Sequence, residues 1–151
     1  MPILPADFDH PQVRALLRLH LERAFAVTPV CSRHALDLDG LRRPDITAWA
    51  LWQADQVQAL GALRLLAPGH GEVKSMFTAD TARRQGAAST MLWHIIAEAR
   101  AAGCTRLSLE TGAMDYFAPA RALYRRQGFT ECGPYADYRP DPNSCFMQRA
   151  L

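Results

Sequence analysis

Apolar side chains recur every three or four positions in several stretches of the chain, which predicts helices there. The first predicted helix covers residues 10–26 and is capped by Asp9, and a shorter one is expected at 32–41. The most regular pattern begins near Gly86 and ends at Gly103. A further helix is predicted at 119–126, ended by Gly128.

Other stretches are rich in strand-forming residues and predict strands at residues 46–53, 57–66, 72–78, 105–111, 129–133 and 144–149. Short turns join the first three strands, which indicates an antiparallel meander. The helix between strands 72–78 and 105–111 requires those two strands to be parallel. The predicted fold is therefore α/β with a mixed sheet, in a single domain of residues 1–151.

Composition and charge exclude several classes of protein. Of the 151 residues, 49% are hydrophobic and 21% charged, which is typical of a globular domain. The net charge of +2 is too small, and the basic residues too dispersed, for a nucleic-acid partner. We see neither a membrane-spanning stretch nor a signal peptide, so a cytoplasmic protein is expected. The four cysteines are widely separated, which indicates reduced, mostly buried thiols and no metal site.

The segment Arg83-Arg84-Gln85-Gly86-Ala87-Ala88 lies between a predicted strand and a predicted helix. The first turn of a helix has unpaired N–H groups and a positive dipole end, which together bind phosphate. Gly86 has no side chain and the residues up to Ser89 are small, so an anion can approach the backbone closely. The two arginines add positive charge beside this site.

Two common phosphate-binding motifs do not fit this segment. The Walker loop requires Gly-Lys-Ser/Thr, and the dinucleotide fingerprint requires three glycines, whereas only Gly86 occurs here. Taken alone, the pattern Arg-x-x-Gly-x-Ala is equally compatible with an ordinary helix start that carries a basic surface pair.

Two motifs in the expected order resemble those of the GNAT superfamily of N-acetyltransferases. Residues 72–88 and the following helix are similar to motif A, Arg/Gln-x-x-Gly-x-Gly/Ala, and residues 120–129 to motif B, Ala-x-x-x-Tyr-x-x-x-Gly-Phe. Lys74-Ser75-Met76 and Glu110-Thr111-Gly112 also resemble a group of small bacterial GNAT proteins. One member of that group is linked by name to indole-acetate metabolism. The resemblance extends from residue 46 to the end of the chain.

The resemblance implies the GNAT fold, in which the strands at 72–78 and 105–111 splay apart to hold acetyl-CoA and helices cover both faces of the sheet. The pantetheine arm would pair with the backbone of the first strand, and the pyrophosphate would bind the loop. Motif B often carries an asparagine where this chain has Phe117, so apolar packing on the pantetheine is expected there. Acetyl-CoA is then the co-substrate, without a metal, and dimers are frequent in the family. The residues expected at the cofactor are Met76, Phe77, Thr78, Arg83, Arg84, Gln85, Gly86, Ala87, Ala88, Ser89, Phe117 and Tyr124.

Acyl transfer to an amine requires a base for the ammonium proton and benefits from an acid at the departing thiolate. Tyr124 matches the tyrosine that serves as the acid in this family, although a core tyrosine would show the same pattern. Glu72 and Glu110 lie on the two facing strands and are the candidate bases. Each could instead be a solvated carboxylate at a strand end.

In this family the acceptor pocket is built from the early helices and the C-terminal strands. His34 lies in the early segment and could contact the acceptor or act as a base, or simply lie at the surface. Tyr138 belongs to a proline-bounded loop that could cover the pocket. Trp49 and Trp52 are expected in the core.

These observations favour an N-acetyltransferase that moves the acetyl group of acetyl-CoA to the primary amine of a small or amino-acid-like acceptor, by direct attack in a ternary complex. The alternative is a GNAT-fold sensor or interaction module that holds acyl-CoA without turnover, because fold alone does not determine activity. An acetyltransferase for protein substrates has no motif of its own in this sequence.

Overall fold

The computed structural model describes all 151 residues. The strands are β1 (Ile3–Pro5), β2 (Ile46–Gln53), β3 (Gln56–Ala67), β4 (His70–Thr78), β5 (Arg106–Gly112), β6 (Thr130–Cys132) and β7 (Ser144–Ala150). The α-helices are α1 (Pro11–Val27), α2 (Leu38–Leu41), α3 (Ala87–Ala101) and α4 (Ala118–Arg126).

All seven strands form one mixed sheet in the order β1-β2-β3-β4-β5-β7-β6. The pair β4 and β5 is parallel and is connected through α3, whereas every other neighbouring pair is antiparallel. The predicted meander and the predicted central parallel pair are therefore confirmed. A tight turn at Ala54 and Asp55, both in the left-handed region, closes the hairpin between β2 and β3.

Helices cover both faces of the sheet, as predicted. Successive residues of β2 point to opposite faces, so that Ala50 packs in one hydrophobic core and Leu51 in the other. The core with Leu51 contains the apolar side of α3 and part of α4, and the core with Ala50 contains α1. Side chains of β4 pack in both cores, so this strand is covered on both faces of the sheet.

The parallel pair separates part-way along its length. The last paired residues of β4 and β5 are Glu72 and Ser108, although both strands continue beyond them. A bulge in β4 accompanies the separation, and at the bulge Ser75 has a φ of 56°. A bulge bends its strand, so β4 turns away from β5 and leaves backbone groups on that edge unpaired. This separation is the splay that the GNAT resemblance implied.

Two predictions about the N-terminal part are wrong. His10, and not Asp9, caps α1, because its Nδ1 accepts a hydrogen bond from the Gln12 N–H at 3.1 Å. The helix predicted at residues 32–41 reduces to the single turn of α2, since the Asp37 side chain caps a helix that begins only at Leu38. The sequence also gave no sign of β1, a three-residue edge strand bounded by proline.

The cysteine prediction also needs correction, because only Cys104 is buried, while Cys132 and Cys145 are half-buried and Cys31 is exposed. In most elements, the observed strand and helix boundaries lie within about two residues of the predicted ones. None of the helices combines the length and the apolar character that crossing a membrane would need.

Candidate active site

A cleft opens where β4 and β5 separate. Its walls come from α1, from the irregular segment after α1, from the two splayed strands and from α4. The side chains that matter for the chemistry below are Lys74, Met76, Glu110, Phe117 and Tyr124, all of which border the cleft. The fold therefore brings together residues from both GNAT-like motifs and both strands.

The loop before α3 has the geometry of an anion site. Gly86 has a φ of 81°, in the left-handed region that favours glycine, and a Cβ there would meet nothing within 4 Å. The first hydrogen bond of the helix runs from the Thr90 N–H to the Gly86 carbonyl, at 2.9 Å. The N–H groups from Ala87 to Ser89 are thus not used by the helix and are available to an anion.

The two arginines of the loop differ in their surroundings. Arg83 lies 3.2 Å from Asp80, whose carboxylate is also held by Arg23 at 2.6 and 2.7 Å. The charge of Arg83 is therefore largely compensated. Arg84 is exposed, has a φ of 62° and forms no salt bridge, so it is the arginine free to meet an incoming anion. The Gln85 side chain donates to a backbone carbonyl within the loop instead.

The residues predicted at the pantetheine arm are divided between two environments. Met76 borders the cleft, whereas the Phe77 ring lies on α1, 5.1 Å from the ring of His20. Phe117 also borders the cleft and packs so closely on Gly112 that a Cβ on that glycine would lie 2.1 Å from its ring. His20 was not predicted at the site but borders the cleft, and burial lowers its pKa to about 4, which keeps the imidazole neutral.

Tyr124 lies on α4, is only 6% exposed and packs against Phe129. Its hydroxyl forms no hydrogen bond within the protein, and the residue borders the cleft. Burial, reinforced by the nearby charge of Glu110, raises the pKa of Tyr124 above that of free tyrosine. The phenol is therefore protonated at neutral pH and free to donate a hydrogen bond into the cleft.

Glu110 is the titratable carboxyl of the cleft. It lies on β5 beyond the last residue paired with β4, so it faces the opening between the strands. Burial raises its pKa to about 7, with the Ser144 hydroxyl and then the charge of Lys74 acting in the opposite direction. A carboxyl group with that pKa can accept a proton and release it again near neutral pH.

Glu72, the other predicted base, is in a different position. It is completely buried and does not border the cleft. Tyr135 and Tyr138 both donate hydrogen bonds to its Oε2, at 2.5 and 2.6 Å, and the Lys74 Nζ lies 3.4 Å from its Oε1. With both oxygens engaged, Glu72 is better suited to anchoring the loop between β6 and β7 than to proton transfer.

We expect the Glu72→Ala variant to lower the free energy of unfolding by about 3 kcal/mol, because it leaves Lys74 as an unpaired buried charge. Urea denaturation followed by circular dichroism would measure the change. The matched control is Glu131→Ala, which breaks an exposed ion pair with Arg125 and should cost less than about 1 kcal/mol. Equal effects of the two substitutions would contradict the anchoring role of Glu72.

A second, outer pocket adjoins the cleft, and His34 and Lys74 border both. Tyr138 borders the outer pocket only, and its ring meets that of His34 edge-on at 4.9 Å between centroids. In the adjoining cleft, the Asn143 side chain donates to the Ser32 hydroxyl at 3.3 Å and so connects the segment after α1 to the segment before β7. The two predicted acceptor residues, His34 and Tyr138, are thus brought together.

The two tryptophans expected in the core differ in burial. Trp49 is buried beneath α3, as expected, whereas Trp52 is half-buried and packs edge-on against His10. Neither tryptophan borders the cleft or the outer pocket. Lys74 was not predicted as a site residue, but it borders both the cleft and the outer pocket. Lys74 lies two residues after Glu72 on a strand, so both side chains are on the same face of the sheet. This spacing was a sign in the sequence that the two charges could pair.

The sequence profile of the acetyltransferase (GNAT) family matches residues 13–129 of the chain. The chain belongs to the GNAT acetyltransferase family. It is 48% identical over 145 residues to the uncharacterised N-acetyltransferase YsnE of Bacillus subtilis strain 168, with 96% of each chain covered. It is also 44% identical over 155 residues to the IAA acetyltransferase of Azospirillum brasilense, with 100% of both covered. The protein is accordingly an acetyltransferase, and the GNAT prediction is confirmed.

Solved structures support the same assignment of fold. A protein of Klebsiella pneumoniae subsp. pneumoniae MGH 78578, provisionally assigned as an acyl-CoA N-acyltransferase, superimposes with a TM-score of 0.83. The two sequences are 29% identical, and the match covers 99% of this chain and 97% of that one. The whole GNAT chain, including the N-terminal helix and the loop between β6 and β7, therefore has a structural counterpart.

Proposed function

We propose that this GNAT protein transfers the acetyl group of acetyl-CoA to the primary amine of a small molecule, by direct attack in a ternary complex. The observation that carries the proposal is the cleft between β4 and β5, which is bordered by Glu110, a carboxyl group whose pKa burial raises to about 7. The N–H groups left unused at the start of α3 add an anion site to this observation. An acyl-CoA donor is supported by the provisional assignment of the Klebsiella relative.

In this proposal the pyrophosphate of acetyl-CoA binds the N–H groups between Gly86 and Ser89, with Arg84 as the additional cation. The pantetheine arm follows the unpaired edge of β4 at Met76 and beyond, forming hydrogen bonds as a strand would. Phe117 supplies an apolar surface beside the arm. These contacts place the thioester near the point where the two strands separate.

The proposed chemistry assigns one proton to each of two residues. Glu110 accepts a proton from the acceptor ammonium, so that the amine nitrogen can attack the thioester carbonyl and form the new C–N bond. A backbone N–H on the free edge of β4 stabilises the negative oxygen that develops. The C–S bond then breaks as Tyr124 gives its phenolic proton to the departing sulfur, and the second proton released by the attacking nitrogen restores the phenol as coenzyme A leaves as the free thiol.

The acceptor is proposed to enter through the outer pocket, between His34 and Tyr138. His34 is suited to packing on the acceptor rather than to charge pairing, because burial and the neighbouring Lys74 lower its pKa and keep the imidazole neutral. The loop that carries Tyr138 is anchored to β4 through Glu72, so this wall of the pocket is held in place.

We expect Tyr124→Phe to lower turnover roughly 10- to 100-fold, as is usual for loss of a proton donor, with little change in the affinity for acetyl-CoA. The phenyl ring fills the same space, so the fold is preserved. Stopped-flow or steady-state release of coenzyme A measures turnover, and calorimetry measures affinity. An unchanged turnover would remove Tyr124 from the proposed mechanism.

The function as a whole is tested by incubating the protein with acetyl-CoA and a panel of amines, amino acids and IAA, with products detected by mass spectrometry. Acetylation of at least one primary amine, with release of coenzyme A, is the expected result. Tight binding of coenzyme A without transfer to any of these compounds would contradict the proposal and favour a sensor.

A further inference from the structure

We propose that Lys74 binds a carboxylate group of the acceptor, and that the acceptor is a free α-amino acid or a close analogue. This inference rests on the proposed function, since it concerns the acceptor of the same transfer reaction. It goes further because it specifies the chemical group that must accompany the amine.

Lys74 is the only lysine in the chain, and it occupies an unusual position. Its side chain is 8% exposed, whereas lysine is seldom buried unless its charge is compensated. Here Glu72 provides that compensation from 3.4 Å, and it is itself fully buried. The ammonium group is therefore held at a fixed place rather than moving freely in solvent.

The hydrogen bonds around the ammonium leave one donor unused. The Tyr138 hydroxyl gives its proton to Glu72, so it can only accept from Lys74, at 3.0 Å. The Lys74 Nζ thus donates one hydrogen bond, to Tyr138, while its contact with the Glu72 Oε1 at 3.4 Å is an ion pair without a hydrogen bond. An ammonium group has three N–H donors, so even with one of them turned towards Glu72 a third remains. Because Lys74 borders both the cleft and the outer pocket, a ligand in either can accept it.

The position of this donor relative to Glu110 defines the shape of the ligand. The register of β4 and β5 pairs Glu72 with Ser108, and Lys74 and Glu110 lie two residues further along their strands. All four side chains are therefore on the same face of the sheet, with an ammonium on one strand and a carboxyl on the other. An α-amino acid presents the opposite pair of charges, an ammonium and a carboxylate bonded to the same carbon atom.

The charge of Lys74 beside Glu110 also disfavours an acceptor without an anion. A simple ammonium ion approaching Glu110 would also approach Lys74, and the two like charges would repel each other. Arg64 and Arg139 also line the outer pocket, and Arg64 is engaged by Asp45 at 3.0 Å. Asp137 and Asp141 line it as well, so Lys74 is the cation that borders both the outer pocket and the cleft with Glu110. A carboxylate attached to the acceptor offsets the repulsion at Lys74. The apolar side chains of Leu36 and Leu66 in the outer pocket can then receive the rest of the molecule.

The test compares the common amino acids with their amides and with the corresponding decarboxylated amines, using release of coenzyme A as the readout. With the wild-type protein, we expect kcat/KM to be at least about tenfold higher for the best amino acid than for its amide or amine, as for loss of one charged hydrogen bond. In Lys74→Met this ratio should fall towards one. The control Arg126→Met removes an exposed positive charge elsewhere and should leave the ratio unchanged.

A wild-type protein that acetylates amides and simple amines as well as amino acids would overturn this inference while leaving the proposed function intact. Absence of transfer to every compound would overturn both. Since Lys74→Met could destabilise the fold, a second measurement uses the wild-type protein alone. Carboxylic acids that lack the amine, such as 4-methylpentanoate, should compete with the acceptor, whereas their amides should not. Equal inhibition by acid and amide would also overturn the inference.

Discussion

Replacing Glu110 with glutamine should reduce the rate of acetyl transfer by about 10²- to 10⁴-fold, the range observed when a general base is removed. The substitution preserves the size of the side chain but abolishes its ability to accept a proton. The expected effect is on kcat, with the affinity for acetyl-CoA measured separately by calorimetry. The matched control is Glu131→Gln, an exposed carboxylate on the neighbouring surface of the sheet, which should retain the wild-type rate.

The pH profile gives an independent measurement of the same group. The base must be deprotonated to act, and burial raises the pKa of Glu110 to about 7. The wild-type kcat/KM should consequently rise with pH through about 7, well above the range of an ordinary carboxyl group. This rise should be absent from Glu110→Gln, whereas a rise at higher pH from the acceptor ammonium should persist in both. A wild-type profile without the rise near pH 7 would exclude Glu110 as the base.

Replacing Gly86 with glutamate should weaken the binding of acetyl-CoA by about 100-fold or more, because a carboxylate beside the pyrophosphate costs several kcal/mol. The position is open, with no atom within 4 Å of a Cβ, so the side chain meets no neighbour and can reach the phosphate site, although a φ of 81° strains any residue with a Cβ. Isothermal titration calorimetry with acetyl-CoA is the direct measurement, and thermal unfolding of the unliganded variant checks that it has folded.

The control for this substitution separates charge from backbone conformation. Gly86 has a φ of 81°, which asparagine tolerates better than most residues, so Gly86→Asn introduces a neutral side chain with little strain. It should retain much of the wild-type affinity. If Gly86→Glu binds acetyl-CoA as tightly as Gly86→Asn does, the cofactor's phosphates do not bind at the start of α3.

Local patterns in the sequence were sufficient for most of the architecture. The bounds of β2 follow directly from its strand-forming residues. Those of α3 follow from the spacing of its apolar residues and from the glycines at its two ends. These elements could be predicted because their determinants lie within a few residues of one another. Residues 32–41 could not, because their conformation depends on the Asp37 cap and on packing of Leu41 under α1.

In the candidate site, too, some residues could be predicted from local sequence, whereas the roles of others depend on the tertiary structure. Motif spacing predicted Gly86, Tyr124 and both glutamates as site residues, since each lies at a recognisable position in a motif or on a predicted strand. It could not distinguish between Glu72 and Glu110, which are carboxyl groups on facing strands of similar composition. The distinction required knowledge of which side chains surround each of them.

The sequence by itself determined the family, the order of strands and helices, and the loop at the start of α3, because periodicity, turn residues and motif spacing are local properties. Only the tertiary structure decided the roles of the polar residues between the strands. Tyr135 and Tyr138 are 63 and 66 positions from Glu72, yet their hydroxyl groups engage its carboxylate and leave Glu110 as the cleft carboxyl. Burial and hydrogen-bond partners determine what a carboxyl group can do, and both arise only when distant segments pack together.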